Sequence, residues 1–275
     1  MQHANFVKSM VEAALAEDIG SGDITAQLID ENKEVTARVI TRESGVVCGL
    51  EFVREVYRQI DPSVKIEFDA LDGDRVERDK VLFRVKGNAR SILTGERTAL
   101  NFLQTLSGTA TITAAYVSAL IGTQSQLLDT RKTLPLYRYV QKYAVRCGGG
   151  RNHRMGLFDA FLIKENHITA KGSITAAVKE AQKIAPGKTI EVEVERLDQM
   201  EEAIRAGAHI VMLDNFILSQ IKVAVIQNAG RVKLEVSGNV TLETIRDVAK
   251  TGVDYISCGS ITKHVKAMDL SMRIL

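Results

Sequence analysis

Residues 189–216 read TIEVEVERLDQMEEAIRAGAHIVMLDNF. Two apolar runs, TIEVEV at 189–194 and HIVMLD at 209–214, are separated by a segment of helical length. Four more runs of this kind are QLLD at 126–129, FLIK at 161–164, VKLEVS at 232–237 and DYISC at 254–258. Six strands alternating with helix-length segments predict an α/β fold with a parallel sheet, either a barrel or an open sheet.

The N-terminal third of the sequence has a different pattern. Residues 35–90 read as short strands and turns, with DG and SG dipeptides between β-type alternation, which predicts a small β-rich or α+β domain. Residues 96–120 form a long helical region, in which Gly108 is expected to be a break. We therefore expect an N-terminal α+β domain over 1–108 and the α/β domain over 109–265. The C-terminal tail 266–275 is a candidate to pack on the N-terminal domain.

Composition excludes several classes of protein. The chain has 275 residues, is 45% hydrophobic and carries a formal net charge of only +2, so neither nucleic acid nor a membrane is expected as a partner. The N-terminal segment has the spacing of an amphipathic helix and not of a signal peptide. Cys48, Cys147 and Cys258 are widely spaced, which predicts neither a disulfide framework nor a zinc site and suits a cytoplasmic location.

Polar residues follow five of the six predicted strands. They are Asp129 to Lys132, Lys164 to His167, Asp214 with Asn215, Ser237 to Asn239, and Cys258 to Ser260. The carboxyl ends of barrel strands meet at one face, where such folds place their active sites. The pattern predicts a site that combines cations, carboxylates and glycine-containing loops, and the alternative is that these residues are ordinary solvated loop positions.

The strand IEVEVE places Glu191, Glu193 and Glu195 on one face. Strands of a parallel barrel are covered on both faces, so these carboxylates need partners. The partners are either inward cations such as Lys164 and Lys233, or a metal ion or ligand hydroxyls. Glu191 fits a structural ion pair as well as a functional role, whereas Glu193, nearer the strand end, is the better functional candidate.

Residues 127–154, LLDTRKTLPLYRYVQKYAVRCGGGRNHR, contain seven Lys or Arg, one His and one Asp. Arg138, Lys142 and Arg146 recur every four residues, which predicts one face of a helix ending at the triple glycine, and we interpret that face as solvated. Two flanking groups are interpreted differently, and together they are expected to clamp more than one carboxylate or phosphate. They are Arg131 with Lys132 before the helix, and Arg151, His153 and Arg154 after the triple glycine.

Several motifs together resemble the quinolinate phosphoribosyltransferase family. They are LTGERTALNFLQTLSGTAT, LLDTRKTLP, GGGRNHRMGLFDAFLIKENHI, VMLDNF, EVSGNV and the segment around 258–260, with EDIGSGDIT near the start and TKHVKAMDLSMR near the end. The resemblance implies an incomplete TIM-like parallel α/β barrel with an N-terminal α+β sandwich domain. It also implies transfer of a phosphoribosyl group from phosphoribosyl pyrophosphate to quinolinate, with decarboxylation to nicotinate mononucleotide.

The resemblance also implies roles for individual residues. The quinolinate pocket would comprise Arg97, Thr130, Arg131, Lys132, His153, Arg154 and Lys164. The phosphoribosyl pyrophosphate site would comprise Glu193, Asp214, Ser237, Gly238, Asn239, Cys258, Gly259 and Ser260. Lys132, Lys164, Glu193 and Asp214 would be catalytic, and Glu193 and Asp214 would bind Mg²⁺ directly or through water. The family further implies a homodimer, or a larger assembly, in which Arg97 reaches the partner's site.

The sequence departs from the family pattern at two places. Leu136-Tyr137 replaces the Pro-Gly-Leu usual after TRKTL, and Arg151 stands where a small residue is common. No nucleophilic side chain is required by the implied reaction, so Cys258 is interpreted as a small filler without a covalent role. The alternatives are a related phosphoribosyltransferase that acts on nicotinate or a molybdenum-linked substrate and, from a different class, a nucleic-acid-binding protein.

Overall fold

The computed structural model describes residues 2–275, with side chains described from residue 4 onward. The chain divides into two compact units, which are Met1–Ile112 with Val265–Leu275, and Thr113–His264. No described helix combines the length and apolar content needed to cross a membrane.

Helices and strands of the described chain are numbered in chain order. The helices are α1 (Gln2–Ile19), α2 (Leu50–Ile60), α3 (Ala89–Ala119), α4 (Arg138–Cys147), α5 (Glu165–Lys171), α6 (Ile174–Ile184), α7 (Leu197–Ala206), α8 (Leu218–Asn228), α9 (Ile245–Ala249) and α10 (Ser260–Lys263). The strands are β1 (Glu34–Thr41), β2 (Gly45–Val46), β3 (Lys65–Phe68), β4 (Arg75–Val76), β5 (Val81–Asn88), β6 (Gln126–Leu128), β7 (Phe161–Ile163), β8 (Ile190–Val194), β9 (Ile210–Asp214), β10 (Lys233–Ser237), β11 (Tyr255–Ser257) and β12 (Leu270–Ile274).

The first unit is built on an antiparallel sheet with strand order β12-β1-β5-β3. Alternation along β1 buries Ala37 and Val39 completely and leaves Arg38 exposed, as expected for a sheet covered on one face. The predicted amphipathic helix is present as α1, and its apolar side chains Val7 and Val11 are buried. The α+β character of this unit is therefore confirmed.

The predicted break at Gly108 is wrong, because α3 runs through it for 31 residues. A Cβ atom at Gly108 would collide with the backbone carbonyl of Lys266. The glycine is needed for the close approach of the segment that leads into β12. A helix interior tolerates one glycine at a cost of about 1 kcal/mol, which this packing offsets.

The second unit contains the six predicted strands in one parallel sheet, with order β6-β11-β10-β9-β8-β7. Helices α4 to α9 lie between successive strands in the chain. In β8 the side chains of Ile190, Val192 and Val194 are buried on one face, and the glutamates that alternate with them occupy the other face. This arrangement confirms the α/β barrel prediction.

The edge strand β6 has a further neighbour outside the named strands. Leu128 forms a parallel bridge with Arg151, in which Arg151 N donates to Leu127 O at 2.9 Å and Asp129 N donates to Arg151 O at 3.1 Å. The backbone of Arg151 therefore continues the sheet. The residues that follow it, Asn152 to Arg154, are delivered to the edge where the carboxyl ends of the strands meet.

Candidate active site

The carboxyl ends of the barrel strands surround a polar cavity of about 710 Å³, called here the large cavity. All eight residues predicted for phosphoribosyl pyrophosphate line it, namely Glu193, Asp214, Ser237, Gly238, Asn239, Cys258, Gly259 and Ser260. Lys263 and His264 also line this cavity and were missed in the sequence analysis. They lie at the end of the short helix α10, directly after the Gly259-Ser260 loop, so their closeness to that loop was the available signal.

A smaller cavity of about 130 Å³, called here the basic pocket, adjoins the large cavity. Its lining includes six of the seven residues predicted for quinolinate, namely Thr130, Arg131, Lys132, His153, Arg154 and Lys164. Six residues line both cavities, namely Thr130, Lys132, Lys164, Glu193, Ser237 and Ser257. The two compartments are therefore neighbours, with a lysine pair at their boundary.

Arg131, Arg154 and Lys164 also border a third cavity of about 550 Å³, whose other walls are largely apolar. The apolar walls include Leu157, Phe161, Ile163, Ala177 and Ile184. Charged groups beside an apolar wall suit a ligand that combines carboxylates with a flat hydrocarbon or aromatic body.

The two arginines of the basic pocket are incompletely hydrogen-bonded within the described part of the chain. There, Arg131 Nε is buried without a hydrogen-bond partner, and Arg154 donates to the carbonyl of Ala160 at 3.3 Å. Burial and the nearby Arg131 lower the pKa of Arg154, although a guanidinium stays protonated at neutral pH. Two half-buried guanidinium groups in this state are a favourable site for a bidentate anion.

The prediction that the cationic face of α4 is solvated is wrong for Lys142. Its side chain on α4 is 1% exposed and donates to Asp129, which is fully buried, and to His153 O at 2.9 Å. Arg138 is half-buried and donates to Met155 O at 3.2 Å, and only Arg146 is exposed as expected. Helical spacing placed the three cations on one stripe but did not tell whether the stripe faced water or the barrel.

Asp129 organises the segment that carries the basic residues after the triple glycine. Besides Lys142, it accepts hydrogen bonds from Asn152 Nδ2 at 2.5 Å and from His153 N at 2.8 Å. Burial raises the pKa of Asp129 and lowers that of Lys142, and the three donors onto one carboxylate offset this desolvation. The strand end at Asp129 thus fixes the backbone position of His153 and Arg154.

Lys164 forms an ion pair with the acidic strand, one of the two alternatives left open by the sequence, with Lys164 Nζ 2.5 Å from Glu193 Oε2. Lys233 does not take part, because it lies at the opposite, amino-terminal end of β10 and pairs with Asp254 at 2.6 Å. Glu195 lies beyond the end of β8 and is exposed. Of the three alternating glutamates, only Glu191 and Glu193 therefore have partners inside the barrel.

Glu191 and an unpredicted residue, Glu235, lie at the base of the basic pocket, and Glu235 is part of its lining. His153 Nε2 is 2.8 Å from Glu191 Oε2 and 3.6 Å from Glu235 Oε2. The alternation in KLEVS placed Glu235 inside the barrel by the same logic as Glu193, so the sequence held the signal.

The loop after β10 packs closely on the loop after β9. Asn215 N donates to Ser237 O at 3.0 Å, and a Cβ atom at Gly238, whose φ is +103°, would collide with Asn215 Oδ1. Asn215 also donates to Asp214 Oδ2 at 2.9 Å. The glycine is therefore required both by conformation and by the lack of space, and Asn215 couples the Asp214 carboxylate to this loop.

Cys258 lies at the start of the other glycine-containing loop. Its Sγ is 2.9 Å from Ser260 Oγ, and Tyr116 Oη is 3.4 Å from the same hydroxyl. The thiol is 4% exposed. This setting fits the interpretation of Cys258 as a small packed side chain at the cavity wall.

The two departures from the family pattern have different structural consequences. Leu136 is 91% exposed and has φ +60°, a conformation that is strained for a side chain of this size and natural for glycine. Arg151 uses its backbone in the sheet and points its side chain to solvent, so its size costs little space. The loop after TRKTL is therefore the more strained of the two.

Arg97, the seventh residue predicted for quinolinate, is exposed on α3 in the first unit. It does not line any of the three cavities described above.

The fold and the cavities define an α/β-barrel enzyme for polyanionic substrates, with a carboxylate-lined compartment joined to a basic one. A model of the quinolinate phosphoribosyl transferase C-terminal domain matches residues 109–273, and a model of the N-terminal domain of the same family matches residues 23–107. The chain belongs to the quinolinate phosphoribosyltransferase family.

Individual relatives are similar over most of their length. The solved structure of the nicotinate-nucleotide pyrophosphorylase from Francisella tularensis is 52% identical, with a TM-score of 0.95, and the match covers 98% of this chain and 96% of that one. A probable carboxylating nicotinate-nucleotide pyrophosphorylase of Bacillus subtilis is 40% identical over 98% of this chain and 93% of its own. The chloroplastic carboxylating enzyme of Arabidopsis thaliana is 39% identical over 98% and 82%.

Proposed function

We propose that this chain transfers the phosphoribosyl group of phosphoribosyl pyrophosphate to quinolinate and releases pyrophosphate, CO₂ and nicotinate mononucleotide, as a step in NAD biosynthesis. The observation that carries the proposal is the junction of the basic pocket with the large cavity at Lys132 and Lys164. A dicarboxylate held in the first compartment presents its ring nitrogen to a sugar held in the second.

The chain's cations and carboxylates take different parts in this reaction. Arg131 and Arg154 bind the quinolinate carboxylates, with Thr130 and Lys164 at the edge of the pocket. The pyridine nitrogen forms a bond to the anomeric carbon as the bond to pyrophosphate breaks. Glu193 and Asp214 stabilise the positive charge that develops on the sugar, and Lys132 stabilises the negative charge on the leaving group.

Decarboxylation follows from the charge on the ring nitrogen. The carbon–carbon bond to the adjacent carboxylate breaks, its electron pair stays on the ring next to the cationic nitrogen, and a proton replaces CO₂. The chain's role in this step is to hold the ring in the basic pocket and to exclude bulk water.

Glu193 and Asp214 are the residues that would hold Mg²⁺. Two carboxylates that line one polar cavity provide the oxygen ligands this ion prefers, so the donor set fits. When bound, the ion neutralises charge on the pyrophosphate. The loops 237–239 and 258–260 bind the 5′-phosphate through backbone N–H groups and hydroxyls.

We further propose a homodimer in which Arg97 completes the partner's basic pocket, and a cytoplasmic location. The exposed position of Arg97 on α3 leaves it available for a second copy of the chain. All three cysteines are present as thiols, which suits a reducing compartment.

Product analysis tests the function. Purified protein with Mg²⁺, phosphoribosyl pyrophosphate and carboxyl-labelled quinolinate should release labelled CO₂ and form nicotinate mononucleotide. Nicotinate offered instead should give no product, and equal turnover of nicotinate would favour the related phosphoribosyltransferase. Binding of nucleic acid is disfavoured because Lys142 is buried and the basic stretch forms no continuous exposed face.

A further inference from the structure

His153, Glu191 and Glu235 form a cluster at the base of the basic pocket, whose lining includes His153 and Glu235. The reaction described above gives Glu235 no role. The ligand atoms of His153, Glu191 and Glu235 all lie within 4.8 Å of one another. Glu191 is 3% exposed and Glu235 is 0% exposed, so bulk water cannot satisfy either carboxyl group.

The hydrogen bonds of His153 fix its protonation. Nδ1 accepts the backbone N–H of Arg154 at 2.8 Å, so it carries no proton and the ring proton resides on Nε2. Nε2–H then donates to Glu191 Oε2. The imidazole is neutral, and its Nε2 has no lone pair left for a metal ion, so this cluster is not a cation site.

The carboxyl groups of Glu191 and Glu235 can form a hydrogen bond to each other only if one of them carries a proton. Among the described residues, Glu191 Oε1, both carboxyl oxygens of Glu235 and Ser257 Oγ are buried without a hydrogen-bond partner. Two ionised carboxylates in this position would repel each other without a cation between them. Burial and the neighbouring Glu191 carboxylate raise the pKa of Glu235 well above its ordinary value of 4.5.

We propose that Glu235 is a positioning residue that works as a neutral carboxylic acid: it donates a hydrogen bond to Glu191, which in turn holds the His153 ring and faces Arg154. The inference rests on the proposed function in naming quinolinate as the ligand of the basic pocket. His153 is then a wall of that pocket, because both of its ring nitrogens are engaged by the protein.

The neutral state of Glu235 also serves ligand binding. Arg131 and Arg154 must attract a dianion, and Glu191 already places one negative charge beneath them. A second charge at Glu235 would compete with the ligand carboxylates in a low-dielectric interior. A neutral acid supplies the hydrogen bond without the charge.

The experiment compares Glu235→Gln with Glu235→Leu. Glutamine keeps the shape, the neutral state and a donor, whereas leucine keeps only the volume. We expect quinolinate affinity and KM in E235Q to stay within about threefold of wild type, and E235L to lose roughly tenfold or more, as expected for a hydrogen bond to a charged group. The KM for phosphoribosyl pyrophosphate should change less than about threefold in both variants.

Infrared spectroscopy gives a readout independent of activity. The wild-type protein at neutral pH should show the carbonyl stretch of a protonated carboxylic acid that E235Q lacks. Absence of that band, or a loss of quinolinate affinity in E235Q as large as in E235L, would overturn the inference and leave the proposed function intact. Equal activity of all three proteins would also overturn it, and absence of product with the wild-type enzyme would instead refute the proposed function.

Discussion

Asp129 and Lys142 form an ion pair that is almost completely excluded from water and joins the end of strand β6 to helix α4. The pair lies one layer behind the basic pocket and touches no cavity described here. Its function is to hold Asn152 and His153 where the second group of basic residues begins.

Replacing Lys142 with Met should therefore strongly lower the free energy of unfolding. The variant leaves Asp129 buried and uncompensated, which costs about 3–5 kcal/mol of unfolding free energy. The double variant D129L/K142M should recover most of that loss but bind quinolinate poorly, because Asn152 and His153 lose their acceptor. Urea denaturation measures the first effect and calorimetry the second. R146M, on the exposed side of α4, is the matched control and should change stability by less than about 0.5 kcal/mol; a similarly small effect of K142M would contradict the assignment.

Removal of a basic-pocket cation should weaken the binding of quinolinate more than the binding of phosphoribosyl pyrophosphate. Arg131→Ala and Lys164→Ala each delete charge-assisted contacts worth about 1.5–3 kcal/mol, so quinolinate affinity should fall roughly 10- to 100-fold. Affinity for phosphoribosyl pyrophosphate should fall far less. Calorimetric titration with each ligand measures both effects, and R146A serves as a control for general loss of positive charge. Equal losses for the two ligands would place these cations elsewhere in the mechanism.

Asp214→Asn tests the proposed Mg²⁺ ligand. The amide keeps the shape and the contact with Asn215 but weakens an oxygen ligand for the ion, so turnover should fall and half-maximal activity should need more Mg²⁺. A magnesium titration of the steady-state rate measures the shift. Cys258→Ser, in the same cavity, should remain active with an unchanged titration. If D214N titrates as wild type does, Asp214 has a structural role only.

Mixed dimers test the placement of Arg97. At a quinolinate concentration well below the wild-type KM, the Arg97→Ala and Lys164→Ala proteins should each have little activity alone, because every site lacks one cation. After joint unfolding and refolding, half of the dimers are mixed and each mixed dimer has one intact site, so activity should approach roughly a quarter of wild type. No recovery, with mixed dimers verified by native mass spectrometry, would place Arg97 in its own subunit's site or outside any site.

Glu235 should make stability depend on pH. Its folded pKa is raised above 4.5, so the folded state keeps a proton that the unfolded state releases. The contribution of Glu235 to wild-type stability should fall by up to about 1.4 kcal/mol per pH unit above pH 4.5, until the folded pKa is reached. E235Q lacks this proton, so its unfolding free energy relative to wild type should rise with pH over that window. Urea melts between pH 5 and about pH 8 measure the difference, which would stay constant if Glu235 were ionised throughout.

The barrel and the clustering of its polar strand ends could be predicted because parallel strands produce two signals at once. Each apolar run marks a strand, and each polar residue that follows marks the same face of the barrel, as Asp214 and Ser237 show. Motif resemblance then assigned the residues to two ligands.

The errors concern features that depend on distant partners. Lys142 was expected to face water because spacing gives a helical stripe but not its surroundings. Gly108 was expected to break α3 because glycine disfavours helices. Its close contact with the carbonyl of Lys266, a residue far away in the sequence, could not be read from the local pattern. Lys233 was matched to the acidic strand on charge alone, although the direction of β10 places it at the other end of the barrel.

Strand β12 imposes an order on the formation of the first unit. It pairs with β1 through five residue pairs from Ala37–Ile274 to Thr41–Leu270, although the whole barrel lies between them in the chain. During synthesis, β1 and β5 leave the ribosome long before β12. The edge of β1 that pairs with β12 therefore stays unpaired while the barrel is being synthesised. The N-terminal unit therefore completes its sheet after the barrel has been synthesised, even though most of its residues come first.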